Sequence, residues 1–253
     1  MSAVAPALAL CLSALVAPMA ASAQESEPRF LVEVEAGPVW QSDNEVEIPN
    51  DGTATRFSFS DLTGNGPWFT GRVTLHWRVA GRHSVAAVLA PLGFEETGTL
   101  EQPTRFAGEE FAPGEPTTGK YVFNSWRVGY RYRYLDRGQW KAWVGVTGKI
   151  RDAEVKLTQG DVSANDTDVG FVPLLHLSAD WAFAPRWHLL LELDALGGGP
   201  GRAEDFSVRL GYDLNDRIGL TVGYRTVEGG ADVDEVYNFA WFNAGVVTAR
   251  FRF

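Results

Sequence analysis

Apolar and polar residues alternate with a period of two along most of the chain. Near its end, Val247, Ala249 and Phe251 alternate with Thr248 and Arg250. Side chains on a strand point to opposite faces in turn, so this pattern predicts strands with one apolar and one polar face. The alternation predicts ten strands, at 30–40, 69–79, 83–94, 126–134, 140–150, 175–183, 188–194, 206–213, 218–225 and 239–253.

The connections between these strands are short and long in turn. The short ones are 80–82, 136–138, 184–186 and 215–217, and the long ones are 42–66, 95–120, 158–169, 197–205 and 228–236. The polar faces are rich in Gly and Arg, and the apolar faces end in aromatic residues. A soluble sandwich or lipocalin-like barrel would show more Lys, Glu and Thr on its polar faces. The pattern therefore predicts an all-β fold, a closed antiparallel transmembrane β-barrel of ten strands. Eight strands are the alternative if 83–94 and a neighbour are not strands.

The first segment has the composition of a secretory signal peptide. An apolar run precedes Ala21-Ser22-Ala23, which has the small-residue pattern of a cleavage site, although no Lys or Arg precedes the run. We therefore predict a signal peptide at 1–23 and one barrel domain at 24–253.

The predicted domain resembles small bacterial outer-membrane β-barrel proteins. The resemblance rests on the short turns, the signal peptide and the terminal aromatic residue of Phe251-Arg252-Phe253. It implies a location in the bacterial outer membrane, with the lipid bilayer and lipopolysaccharide as surroundings. It also implies that Phe253 on the last strand is the signal for the outer-membrane assembly machinery.

The charge of the chain is −10 and its pI is about 4.9, which gives no basic surface for nucleic acid. The five long connections together carry a formal charge of −16. We expect them to be solvated external loops, with divalent cations as possible partners near Asp161, Asp166 and Asp168. These aspartates lack the spacing of a calcium-binding loop and the chain has one cysteine, so no metal site and no cofactor is predicted.

Acidic and basic residues share the inward faces of the predicted strands. The predicted lumen charge network consists of Glu33, Glu35, Arg72, His76, Arg127, Arg131, His176, Asp180, Glu192, Asp194, Arg225 and Arg250. Buried charges must be paired, and a ten-stranded barrel is barely wider than one filled by side chains. The pattern favours a packed lumen over a narrow channel.

Enzymatic barrels offer two comparisons, the omptin-like proteases and the enzymes that modify the acyl chains of lipid A. His176, Ser178 and Asp180 share an inward face here, which suggests a nucleophile, a base and an orienting acid. Residues two apart on one strand cannot form this relay without partners from other strands, so no catalytic residue is assigned.

A second candidate site is an external rim, because function often lies on loops above a rigid scaffold. The predicted rim residues are Lys149, Arg151, Asp152, Glu154, Arg202, Glu204, Asp205, Asp232 and Asp234.

The sequence thus predicts a non-enzymatic outer-membrane barrel with a packed lumen and acidic external loops, in a structural, adhesive or binding role. A narrow channel for small solutes or ions and a barrel-embedded hydrolase acting on lipid or peptide are the alternatives.

Overall fold

The computed structural model describes residues 28–199 and 201–253, so the predicted signal peptide lies outside the described residues. The elements are β1 (Phe30–Glu47), β2 (Phe57–Ser58), α1 (Phe59–Thr63), β3 (Trp68–Ala80), β4 (His83–Ala90), β5 (Gly93–Thr99), β6 (Thr104–Phe106), β7 (Glu109–Phe111), β8 (Pro116–Arg137), β9 (Trp140–Gln159), β10 (Val162–Ala184), β11 (Trp187–Gly198), β12 (Gly201–Asp213), β13 (Ile218–Val233) and β14 (Val236–Arg252).

Ten strand positions close into a ring in which every neighbouring pair is antiparallel. The order is β1, β3, β4, β8, β9, β10, β11, β12, β13 and β14, and β14 pairs back onto β1. β5 continues the position of β4 along β8, while β2, β6 and β7 belong to the connections. The ten-stranded closed barrel predicted from the alternation is confirmed. We call the end of the barrel that carries the four short connections the turn end. The opposite end, which carries the long connections, is the hairpin end.

The outward surface is apolar between two rows of aromatic residues. The row toward the turn end contains Phe30, Trp77, Trp140 and Trp187, and the row toward the hairpin end contains Trp40, Phe69, Phe171 and Trp241. Exposed Val and Leu side chains fill the band between the rows. Two aromatic girdles around an apolar band are the surface of a barrel that spans a bilayer. In the part of the chain that the structure describes, no helix has the length and apolarity needed to cross a membrane.

The strands continue well beyond the apolar band at the hairpin end. β8, β9 and β10 have 22, 20 and 23 residues, twice the roughly 9–11 that a spanning strand needs. The prediction of loops at 158–169, 197–205 and 228–236 is therefore wrong, because most residues in these ranges extend the paired strands. Above the membrane the outward face is polar, so the alternation no longer carries its apolar signal.

The two longest connections fold into a cap over the mouth of the barrel. We define the cap as residues 48–67 and 100–115, which are joined by backbone hydrogen bonds from Thr55 to Arg105 and from Ala107 to Ile48. α1 begins after Ser58, whose hydroxyl accepts from the Asp61 N–H at 3.1 Å and so caps the helix. These connections are thus packed structure, although the sequence predicted solvated loops.

The seam between β1 and β14 offers a test of closure. A Cβ built on Gly37 would lie 1.9 Å from the Gly245 carbonyl oxygen, whereas a Cβ on Gly245 would meet nothing within 4 Å. We expect Gly37→Ala to lower the free energy of unfolding by about 1–3 kcal/mol through overpacking, and Gly245→Ala to leave it nearly unchanged. Both variants are unfolded with urea in lipid, and the heat-dependent gel shift of folded barrels gives the folded fraction at each urea concentration. Equal stability of the two variants would contradict this account of the seam.

Candidate functional site

The lumen contains three layers along its axis. An apolar layer lies under the cap, a layer of paired charges lies below it, and a polar cavity opens at the turn end. The apolar layer is centred on Phe59, Phe94, Tyr121 and Phe242, whose rings contact one another. Tyr121 and Phe59 are almost fully buried. Each layer has a different consequence for what the barrel can admit.

Asp205 is the centre of the upper part of the charge layer. Its carboxylate accepts from Arg72 at 2.8 Å and from Arg127 at 2.7 Å, and it also pairs with Arg225. Arg225 in turn donates to Glu35 at 2.8 Å. Charge-assisted hydrogen bonds of this kind compensate the loss of water around each ion.

Glu33 and Glu192 organise the lower part of the layer. Arg250 Nε lies 2.9 Å from a Glu33 oxygen, and Arg131 lies 3.2 Å from Glu192. Arg209 lies between the two carboxylates, 3.6 Å from Glu33 and 3.4 Å from Glu192. Six arginines and five carboxylates therefore form one connected layer across the lumen, made of Arg72, Arg127, Arg131, Arg209, Arg225, Arg250, Glu33, Glu35, Glu192, Asp194 and Asp205.

The structure brings together all but one of the residues predicted for the lumen network. His76 joins through Glu33 at 3.4 Å, and His176 joins through Asp194 at 2.8 Å. Asp180 is the exception, because it pairs with His188 at the turn end. The network also contains Arg209, whose inward position follows from the same alternation but which the prediction omitted.

Two residues predicted for the external rim lie inside the barrel. Asp205 is 3% exposed in the charge layer, and Lys149 is also 3% exposed, with its ammonium 4.6 Å from the centre of the Phe123 ring. The rim prediction is wrong for both. β12 begins at Gly201 rather than near 206, so the inward alternation already includes Asp205.

The remaining rim residues occupy separate positions rather than one site. The polar contacts are Arg151 with Asp168, Asp152 with Asn124, Glu154 with Lys120, Arg202 with Glu228, and Asp232 with Asn50 of the cap. Glu204 is exposed, and the Asp234 carbonyl accepts from the Asn50 N–H. Glu154, 2.6 Å away, raises the pKa of Lys120.

His176 lies between a carboxylate and a hydroxyl. Its Nδ1 is 2.8 Å from Asp194 Oδ1, and its Nε2 is 2.9 Å from Ser178 Oγ. Asp194 faces His176 directly in the register of β10 and β11, whereas Asp180 lies four residues along β10 from His176. The predicted grouping of His176, Ser178 and Asp180 is thus wrong in its acid, because the neighbouring strand supplies it.

One group of side chains has the spacing of a metal site. Ligand atoms of His176, Glu192 and Asp194 lie within 4.8 Å of one another, the one such group found among residues 28–199 and 201–253. Its carboxylates already accept from Arg131 and Arg127, so a cation would compete with these arginines. The sequence predicted divalent cations as partners near Asp161, Asp166 and Asp168. In the described residues these three aspartates do not form a group with metal-site spacing.

The cavity at the turn end, here called the vestibule, has a volume of about 1370 Å³. It reaches the short turns at Gly81 and Asp216, and Phe253 also lines it. Its lining contains more cationic than anionic side chains, nine against five. The cationic ones are Arg78, Arg82, Arg131, Arg133, Lys141, Arg209, Arg217, Arg250 and Arg252. The anionic ones are Glu33, Asp180, Glu192, Asp213 and Asp216. The vestibule is therefore cationic and ends at the charge layer.

Comparison with known proteins supports the fold. No protein-family model and no curated protein matches the chain. The outer-membrane protease OmpT from Escherichia coli has a TM-score of 0.56 at 8% identity, over 88% of this chain and 96% of that one. Solved structures of AlkL (TM-score 0.42, 10% identity, 100% and 98% coverage) and of the Yersinia pestis protein Ail (0.36, 10%, 89% and 100%) also match. The match to OmpT confirms the resemblance in fold to small bacterial outer-membrane barrels. The exposed apolar band agrees with the predicted location in the bacterial outer membrane.

The connection through Asp205 can be tested by removing its charge. In Asp205→Ala, three arginines lose a buried partner, so we expect the free energy of unfolding to fall by about 3–5 kcal/mol. The control is Glu204→Ala, because Glu204 is the adjacent residue and is exposed. Urea unfolding in lipid vesicles measures both variants. A similar small effect in the two variants would show that the charge layer does not depend on Asp205.

Proposed function

We propose that this protein is a non-conducting outer-membrane barrel that presents an acidic external surface for binding. The observation that carries the proposal is the double closure of its lumen. The apolar layer blocks the hairpin end, and the connected ion pairs cross the barrel below it. A solute would have to separate both layers to pass.

The apolar layer is tightly packed where it meets the wall. Trp68 stacks on Phe94 with ring centres 3.7 Å apart, and the rings of Phe94 and Tyr121 lie 5.6 Å apart. Leu62 of α1 is 3% exposed in the same cluster. Burial of this much aromatic surface favours a cap that stays closed.

The largest group of exposed glutamates on the external surface lies on the second hairpin, which consists of β5, β8 and the connection between them. Six exposed glutamates lie there, at Glu95, Glu96, Glu101, Glu109, Glu110 and Glu115. Arg105 pairs with Glu110 at 2.5 Å, and Lys120 pairs with Glu154 at the base of the hairpin. An excess of carboxylates on one surface attracts a cationic partner and speeds its association at low salt.

The closed lumen predicts electrical silence. The refolded chain 24–253 in a planar bilayer should give no steady conductance steps, because the charge layer leaves no continuous water path. Folding is verified by the heat-dependent gel shift, and insertion by protection from protease in the same preparation. Steady steps whose size follows the salt concentration would overturn the proposal and support the narrow channel.

The acidic hairpin predicts salt-dependent binding of a polycation. Proteoliposomes that contain the protein should bind poly-L-lysine at low salt. Changing the six glutamates of the second hairpin to glutamine should weaken this binding about tenfold or more. The control neutralises six acids of other hairpins, at Asp161, Glu204, Glu228, Asp232, Asp234 and Glu235. Unchanged binding after the six glutamate substitutions would contradict the assignment, and an equal loss in the control would show a general charge effect in place of a binding surface.

A further inference from the structure

The strand pairing of β10 and β11 assembles three side chains in the order used for nucleophilic catalysis. Ser178 Oγ lies 2.9 Å from His176 Nε2, and His176 Nδ1 lies 2.8 Å from Asp194 Oδ1. The two ring nitrogens of one imidazole thus face a hydroxyl and a carboxylate. This is the arrangement in which the acid fixes the tautomer of the base, and the base takes a proton from the serine.

The acid is held in place from both of its oxygens. Thr147 Oγ1 donates to Asp194 Oδ1 at 3.1 Å, and Arg127 Nη1 donates to Asp194 Oδ2 at 3.1 Å. The carboxylate therefore cannot rotate away from His176 without losing both bonds. A rigid orienting group is what a catalytic relay requires from its surroundings.

Burial changes along the three residues in the direction that catalysis needs. Asp194 and His176 are 1% and 0% exposed, whereas Ser178 is partly exposed and lines the vestibule. A substrate in the vestibule would therefore meet the hydroxyl first, with the base and its acid shielded behind it. A histidine serving only to pair buried charges would not require a cavity of about 1370 Å³ in front of its serine partner.

The charge of the vestibule indicates the class of substrate. Nine cationic side chains face five carboxylates in its lining, so an anionic molecule entering from the turn end is attracted. We propose that Ser178, His176 and Asp194 form an esterase centre that hydrolyses anionic acyl esters in the vestibule. The proposal goes beyond the binding function above and does not depend on it.

The reaction balances with water as the only co-reactant. Ser178 Oγ bonds to the acyl carbon while its proton moves to His176 Nε2. The bond from the acyl carbon to the alcohol oxygen then breaks, and His176 returns the proton to the departing alcohol. Water attacks the acyl-serine with His176 again taking the proton, and the carboxylic acid leaves as Ser178 regains its hydrogen.

Covalent labelling tests the nucleophile directly. The refolded chain 24–253 in detergent is treated with a fluorophosphonate dye, which reacts with activated serines, and the labelled peptide is identified by mass spectrometry. We expect label on Ser178 that falls at least 100-fold in Ser178→Ala and in Asp194→Asn. Ser84 lines the same vestibule without this relay, so Ser84→Ala should label like the parent chain.

Hydrolysis tests the substrate class in the same preparations. After the rate measured with Ser178→Ala is subtracted to remove the spontaneous reaction, the anionic 4-nitrophenyl succinate monoester should be cleaved at least tenfold faster than neutral 4-nitrophenyl acetate at low salt, and high salt should reduce the ratio. The heat-dependent gel shift confirms that each variant is folded. A folded parent chain that takes no label, or a Ser178→Ala variant that labels as strongly as the parent, would overturn the proposal. Faster cleavage of the neutral ester would overturn the assignment of an anionic substrate.

Discussion

The pairing of charge inside the wall is the constraint on which the rest of this barrel depends. Six buried arginines project into a lumen that is too narrow to hydrate them, and five carboxylates accept from them. An unpaired ion at this depth costs several kcal/mol, so the sheet can close only in a register that brings these partners together. The ion pairs thus select one closed arrangement of strands as well as filling its interior.

The position of the charge layer also explains how the two ends of the barrel differ. Above it most inward side chains are aromatic or aliphatic, with Gln41 and Asn44 hydrogen-bonded to each other among them, and α1 completes this apolar layer. Below it most inward residues are polar, and they leave open space among them. The result is a barrel sealed toward its hairpins and hollow toward its turns, in which the proposed chemistry and the proposed external binding occupy opposite ends.

The sequence predicted the wall well because lipid imposes a simple rule on it. Residues such as Val73 and Leu75 must face the bilayer while Arg72 and Thr74 face inward, and this rule yields the ten strands. Outside the bilayer both faces can be polar, so the predicted strand ended at 150 although β9 continues to Gln159, and the first residues of β10 fell within the loop predicted at 158–169. The cap was missed for a related reason, although several aromatic residues in connections expected to be solvated already indicated a buried cluster, namely Phe57, Phe59, Phe106 and Phe111.

The partners of individual side chains were harder to predict than their faces. Residues on the same face of one strand lie about 7 Å apart for each step of two, whereas directly paired residues on adjacent strands lie about 5 Å apart. The sequence grouped His176 with Asp180, which lies on the same face of the same strand. In the structure His176 instead contacts Asp194, its directly paired residue on the adjacent strand.

Register decides such pairs, and register depends on where each hairpin turns. The β11–β12 pairing begins at Gly198 and Gly201, several residues beyond the predicted strand ends, and it continues to place Asp194 opposite Asp205. One aspartate then orients His176 while the other joins three arginines. Arg127 contacts both carboxylates, so the residues that close the lumen also hold the acid of the Ser178–His176–Asp194 centre. The stability of the barrel and the chemistry proposed for its vestibule therefore share a side chain, and neither can be altered at that point without affecting the other.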